Sequence, residues 1–376
     1  MNEKTLKKYI LKNSNEFLIR IKKTNPPFDL KKKNKIILFG ADILGDEFLK
    51  VCKLNNIEVM AFCDNDKTKK GKEISGVKII SIKELMKYPK NTLIIITIMH
   101  DFVVKEQLRK IGYKNVFSHT FFASMYPKKF NYFTWKSSSI PLKYDVKKIL
   151  ELYKILEDKK SKKVFEQLII NRLTLDHNAL VKVIDKMEKE YFDPSIIKLI
   201  KNEVFVDGGG FDGDTVRKFI KVSHRDFSQI HTFEPDKKSQ NKIKLFLKKE
   251  NDKRIELHPF GLSNKNQTAF FSNNGTAGSK VNNKSDHKIK LVSLDQYLYN
   301  QKPTLIKFDI EGSETKAILG MKKIMKDFKP KLVICLYHKP SDIWKIPLLI
   351  KKINPKYKIF IRHYTLTQHD TVCYAI

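Results

Sequence analysis

The sequence predicts an α/β protein: two Rossmann-like doubly wound sheets joined by a helical segment. Three observations predict it. Short apolar runs alternate with stretches of helical period near the N-terminus, and again from residue 203 onward. The region between them has only the 3–4 residue apolar spacing of helices. Two of the apolar runs, KIILFG (35–40) and VFVDGG (204–209), close on glycine before a helical pattern begins, as the first strand of a nucleotide-binding sheet does.

Residues 1–34 form a polar extension of helical pattern that ends at Pro26 and Pro27. The first sheet domain is expected over 35–122. Its strands are KIILFG, EVMAFCD (58–64), LIIITI (93–98) and NVFSH (115–119). Residues 123–202 read as a connector (123–142) followed by a helical bridge. In the bridge Val146, Ile149, Leu152, Tyr153 and Leu156 start an apolar stripe, which Val164, Leu168, Ile169 and Leu173 continue. The second sheet domain is expected over 203–376. Its strands are VFVDGG, QIHTFEPD (229–236), RIELHP (254–259), TLIKFDIEG (304–312) and KLVICLYH (331–338). A Ser/Asn/Gly-rich stretch (263–287) interrupts them before KLVSL (290–294) resumes order. KIFIRHY (358–364) and TVCYAI (371–376) are six residues apart and predict a closing antiparallel hairpin.

Composition narrows the class. Apolar residues make up 41% of 376, enough for a globular chain with more than one core. The formal net charge is +33, almost all of the cationic excess being Lys. The lysines are spread along the whole chain and Arg is scarce, so nucleic acid is not the expected partner. Anionic substrates such as nucleotide-linked sugars, anionic glycans or phospholipid headgroups suit such a surface. Cys52, Cys63, Cys335 and Cys373 form no CxxC pair, which argues against a zinc site and a disulfide framework. The N-terminal MNEKTLKKYI has no signal-peptide run, and no apolar run reaches transmembrane length. The expected compartment is the cytoplasm. A second copy of the chain is a further expected partner.

The most informative segment is VFVDGGGFDGDT (204–215). A buried strand delivers Asp207. Gly208, Gly209, Gly210 and Gly213 let the backbone turn and approach a ligand, and Asp214 and Thr215 open a helix. The carboxylates of Asp207, Asp212 and Asp214 are unsuited to a dinucleotide pyrophosphate. They suit a cofactor with an ammonium, a sulfonium and no phosphate. About twenty residues on, Phe233, Glu234 and Pro235 end the next strand, where an acid can accept ribose hydroxyls. In LIKFDIEGSE (305–314), Lys307 needs an acidic partner, and Asp309 or Glu311 can supply it. Asp309, Glu311 and His338 are expected to converge beside the reacting group.

These segments, together with GLSN (261–264), LVSLDQYL (291–298) and LYHKPSDIWKIP (336–347), resemble the FkbM-type methyltransferases over about 203–376. A parallel sheet closed by an antiparallel hairpin also matches class I methyltransferases by fold-level analogy. The resemblance implies O-methylation of a sugar, glycan or small metabolite with S-adenosylmethionine and no obligatory metal. Asp207, Gly208, Gly209, Gly210, Gly213, Asp214, Thr215, Phe233, Glu234, Pro235, Gly261, Leu262 and Asp309 are then the expected cofactor contacts. Gly210 and Phe211 stand where the family's loop usually has Ala and Asn. The first domain is similar to the nucleotide-sugar-binding domain of bacterial sugar O-acyltransferases. Gly40, Asp42 and Gly45 occupy that pattern's glycine positions, and Asp64 is placed for a sugar hydroxyl.

The expected chemistry is in-line attack of an acceptor oxygen on the sulfonium methyl. A general base should speed it by about 10²–10⁴-fold. The candidates are His338, then Glu311, then Asp309; alternatively Asp309 holds the donor's amino group. A variant in which Asp309, Glu311 and His338 bind one hard cation is also open. The rival functions are an NAD-dependent oxidoreductase, a non-catalytic nucleotide-sugar-binding or assembly protein, and a nucleic-acid methyltransferase.

Overall fold

In the computed structural model the described residues are 1–23, 35–98, 101–119, 122, 145–174, 178–272, 280–281, 287–367 and 369–376. The chain divides into two compact units. One comprises Met1–Val146, Glu166–Lys182 and Leu366–Gln368. The other comprises Lys147–Phe165, Val183–Thr365 and His369–Ile376. The helical bridge is thus shared between them. Its helices are Val146–Ile155, Lys159–Thr174 and Asn178–Val181. The connector expected at 123–142 lies outside the described residues.

The first unit holds strands β1 (Lys35–Phe39), β2 (Glu58–Cys63), β3 (Glu73–Ile74), β4 (Val77–Ile80), β5 (Leu93–Ile96) and β6 (Val116–Ser118). Their order is β3-β4-β2-β1-β5-β6, parallel except for the β3–β4 hairpin. Ile36 and Leu38 of β1 pack on one face with Phe48 and Phe62. Ile37 and Phe39 pack on the other with Ile94 and Ile96. Both faces are covered, which is why these strands read as unbroken apolar runs. The hairpin escaped the sequence reading because its strands are too short for a period to show.

The second unit holds β7 (Glu203–Gly208), β8 (Phe227–Phe233), β9 (Ile255–His258), β10 (Gly261–Leu262), β11 (Gln267–Ser272), β12 (Lys280–Val281), β13 (His287–Val292), β14 (Leu305–Phe308), β15 (Lys331–Cys335), β16 (Ile359–His363) and β17 (Thr371–Ala375). Seven of them form the main sheet, in the order β16-β17-β15-β14-β7-β8-β9. The core strands are parallel. The terminal pair is antiparallel as expected, with β17 inserted between β15 and β16. Phe205, Phe219, Phe192 and Phe227 anchor one face; the Phe205 and Phe219 rings lie 4.4 Å apart. On the helix Lys237–Glu250, Asp236 accepts the backbone N–H groups of Lys238 and Ser239 at 2.6 and 3.0 Å. Asn251 ends that helix in the left-handed conformation.

One correction concerns the Ser/Asn/Gly-rich stretch. Its flanks pair with their neighbours in a small mixed sheet of order β10-β13-β11-β12. Polar residues on β11 and β13, such as Gln267 and Lys288, masked the strand pattern in the sequence. Among the described residues, no helix is long and apolar enough to cross a membrane.

Candidate active site

Parallel pairing brings the C-terminal ends of β7, β8, β14 and β15 to one edge of the sheet. The loop after β7 is held tightly there. Gly209 sits at φ +84°, and a Cβ on it would collide with the Asp309 carbonyl; one on Gly210 would collide with the Thr232 hydroxyl. So these glycines first serve the close fit of the loop against neighbouring chain. Gly213 takes the N-cap place of the helix Asp214–Val222 without a side-chain cap, while Asp214 accepts from the Thr215 N–H at 2.7 Å.

Beneath the loop, Lys307 and Asp207 form a buried ion pair at 3.0 Å. The Lys307 ammonium also donates to the Gly209 carbonyl at 3.1 Å, and the Thr232 hydroxyl donates to Asp207 at 3.2 Å. Burial opposes the charge on Lys307, but Asp207 and Asp309 hold it above the usual lysine range. The partner expected for this lysine was Asp309 or Glu311. It is Asp207, because parallel pairing places Lys307 directly beside it.

Asp309 follows β14. It accepts from the Tyr191 hydroxyl at 2.9 Å and the Tyr337 hydroxyl at 3.0 Å, and His338 Nε2 lies 3.3 Å away. Burial would raise its pKa, yet His338, Lys307 and the two hydroxyls hold it below the usual range. His338 Nδ1 lies 2.8 Å from Glu314, and Nε2 lies 3.8 Å from Glu311. Burial disfavours the charged ring, but Glu314, Asp309 and Glu311 outweigh it and raise the pKa to about 9. These carboxylates favour the imidazolium form of the ring. Glu314 was missed by sequence reasoning, although it lies in the LIKFDIEGSE motif. It is fully buried, and it also accepts the Ile310 N–H at 2.9 Å. Tyr191, from the bridge side of the unit, was missed as a site residue as well.

Glu234 accepts the N–H of Phe211 on one oxygen and that of Asp236 on the other, both at 2.8 Å. Burial raises its pKa to about 7, against the pull of those donors. It lines a cavity of about 330 Å³, within the size range of small-molecule sites. Of the expected residues, Gly209, Asp214, Thr215, Phe233, Glu234, Pro235, Gly261, Leu262, Asp309 and Glu311 line this cavity. Asp207, Gly208, Gly210, Gly213 and His338 are not in its wall.

In the first unit Gly40, Asp42, Gly45 and Asp64 gather where β1 turns into its helix. Asp64 and Asp42 have partners within the chain. Asp64 accepts from Ala41 N–H and Asp66 N–H, each at 2.9 Å, and Lys69 bridges Asp64 and Asp42 at 3.1 and 2.7 Å. A Cβ on Gly45 would collide with the Gly40 carbonyl. Asp64 organises this turn.

A crevice at the C-terminal edge of the main sheet is where open α/β sheets hold their ligands. Residues 207–365 match the family model described as the methyltransferase FkbM domain, and residues 32–116 match the C2185-like N-terminal model. The fold is that of the methyltransferase FkbM from Methylobacillus flagellatus KT, at 20% identity and TM-score 0.79 over 100% of both chains. Weaker likenesses cover part of the chain. Precorrin-6y C5,15-methyltransferase from Geobacter metallireducens GS-15 has 14% identity and TM-score 0.33, over 52% of this chain and 90% of that one. Aeropyrum pernix fibrillarin with bound S-adenosyl-L-methionine has 11% identity and TM-score 0.30, over 48% and 70%. No curated protein matches the chain. Residues 207–365 are thus a methyltransferase FkbM domain, and the protein is a methyltransferase. The first unit's match is to a model other than the sugar acyltransferase domain that its motifs resemble.

Proposed function

We propose that this methyltransferase takes its methyl group from S-adenosylmethionine and delivers it to a hydroxyl oxygen of a sugar, glycan or small metabolite. The observation that carries the donor assignment is the charge of the cavity wall. Among the described residues, Asp214, Glu234, Asp236, Asp309 and Glu311 line it against one ammonium, that of Lys307, which is already paired with Asp207. Such a wall attracts an ammonium and a sulfonium and repels a pyrophosphate, which also disfavours the dinucleotide reading. Each Glu234 oxygen accepts one backbone N–H and keeps acceptor capacity for one of two neighbouring ribose hydroxyls. Phe211, Phe233, Phe260 and Leu262 supply apolar walls suited to a planar base.

When bound, S-adenosylmethionine supplies an already activated methyl electrophile. Glu234 orients the ribose, and Asp309, kept ionised by His338, attracts the cationic end. The rest is alignment of the acceptor oxygen, worth roughly 7–11 kcal/mol at best, and removal of its proton. Of the three candidate bases, His338 is held protonated and Asp309 is held below the usual carboxylate range. Glu311 faces the cavity from a left-handed residue at φ +55°, and we assign it the base role. The +33 charge favours an acceptor carrying negative charge, such as a nucleotide-linked sugar. The cysteines, all free and buried, suit a reducing compartment, and the cytoplasm is the one we propose.

The deciding experiment is calorimetric titration of S-adenosylmethionine, S-adenosylhomocysteine and NAD into the protein and into Glu234→Gln. The two adenosyl compounds should bind and NAD should not. The variant should lose about tenfold or more in affinity for both. Binding of NAD alone, or of none of the three, would overturn the donor assignment.

A further inference from the structure

A second cluster lies on the outer edge of the same sheet. Parallel pairing sets His231 beside Glu256 and Phe233 beside His258. Residues two apart on a strand share a face, so His231, Glu256 and His258 project together. Sheet neighbours are always close, but here the donor atoms themselves converge. His231 Nδ1 lies 3.1 Å from His258 Nε2, and Glu256 Oε2 lies 3.6 Å from the first and 3.7 Å from the second. A point equidistant from the three atoms is about 2.0 Å from each, the bond length of zinc to imidazole and carboxylate.

We propose that His231, Glu256 and His258 bind one divalent transition-metal ion of the zinc class through His231 Nδ1, His258 Nε2 and a Glu256 oxygen. Two imidazoles and one carboxylate are a donor set suited to zinc rather than to calcium or magnesium. Both rings are buried, and burial disfavours the charged form of each. Glu256 is half-exposed, which leaves a coordination position open to water.

At His258 the surroundings fit as well. His258 Nδ1 lies 3.1 Å from the Tyr297 hydroxyl, the outer-shell contact that fixes a ligand's tautomer. Without metal, the close contact between the two rings requires one N–H to bridge them. With metal, His258 carries its proton on Nδ1, donating to Tyr297, and His231 carries its proton on Nε2, a buried atom with no hydrogen-bond partner among the described residues. No net proton is released. The ion would fasten the edge strand β9 to β8. It would also steady Phe233, whose ring stacks on His258 at 4.6 Å and lines the cavity. This assigns the ion a structural part, independent of the donor and acceptor readings.

The test uses the full chain and the metal alone. Zn²⁺ is titrated against a competing chromophoric chelator, and Co²⁺ binding is followed by its ligand-field absorption. One equivalent should bind, with the intense visible bands of four-coordinate cobalt. Glu256→Gln changes a surface side chain, and its retained fold is checked by circular dichroism. It should weaken Zn²⁺ binding by at least tenfold, and His258→Gln by more. No saturable binding, or binding unchanged in Glu256→Gln, would overturn the proposal.

Discussion

His338 is enclosed by carboxylates. Glu314, Asp309 and Glu311 lie within 2.8–3.8 Å of its two nitrogens. Its folded pKa, about 9, stands above the free value of 6.5. The stabilisation from this charge is therefore fully present below about pH 6.5 and is lost as pH rises through 9. Urea denaturation across that window should show stability falling by about 3 kcal/mol, and His338→Gln should flatten the slope. At Glu311 the expected effect is on turnover. Glu311→Gln should lower kcat by about 10²–10⁴-fold while leaving S-adenosylmethionine affinity within a few fold. A variant with unchanged kcat would remove Glu311 from the base role.

At the scale of elements, the site depends on the seam between β7 and β14. Lys307 and Asp207 face each other across it, fully buried, and the ammonium also braces the glycine loop. Removing one partner strands a charge, so Lys307→Met should cost about 3–5 kcal/mol in denaturant unfolding. The double change Lys307→Met with Asp207→Asn should recover much of that loss. If the double variant is no better than the single one, the pair is not what holds the seam. The strands of this seam were readable because buried parallel strands are continuous apolar runs. The small sheet from Gly261 to Val292 was not, since its half-exposed strands mix polar and apolar residues.

Across the whole molecule, two units each carry their own sheet and core. A ligand that binds only one folded unit raises that unit's stability by mass action, about 2.7 kcal/mol at a hundredfold excess over Kd. Calorimetry with S-adenosylhomocysteine should therefore move one transition upward and leave a second in place. A uniform shift of a single transition would mean that the units unfold together.

How far the site could be read in advance follows from the range of each interaction. VFVDGG, FEPD and LIKFDIEG were legible because a strand, its closing turn and an acid at its end are set by neighbours in the chain. Those local signals were enough to place Glu234 and Asp309 at one sheet edge. Other features waited on strand order and register: the pairing of Lys307 with Asp207, the clasp of Glu314 on His338, and the meeting of His231 with His258. Each joins atoms that come together only when particular strands and turns lie side by side. Strand choice and register decide that, and burial then fixes which groups carry charge.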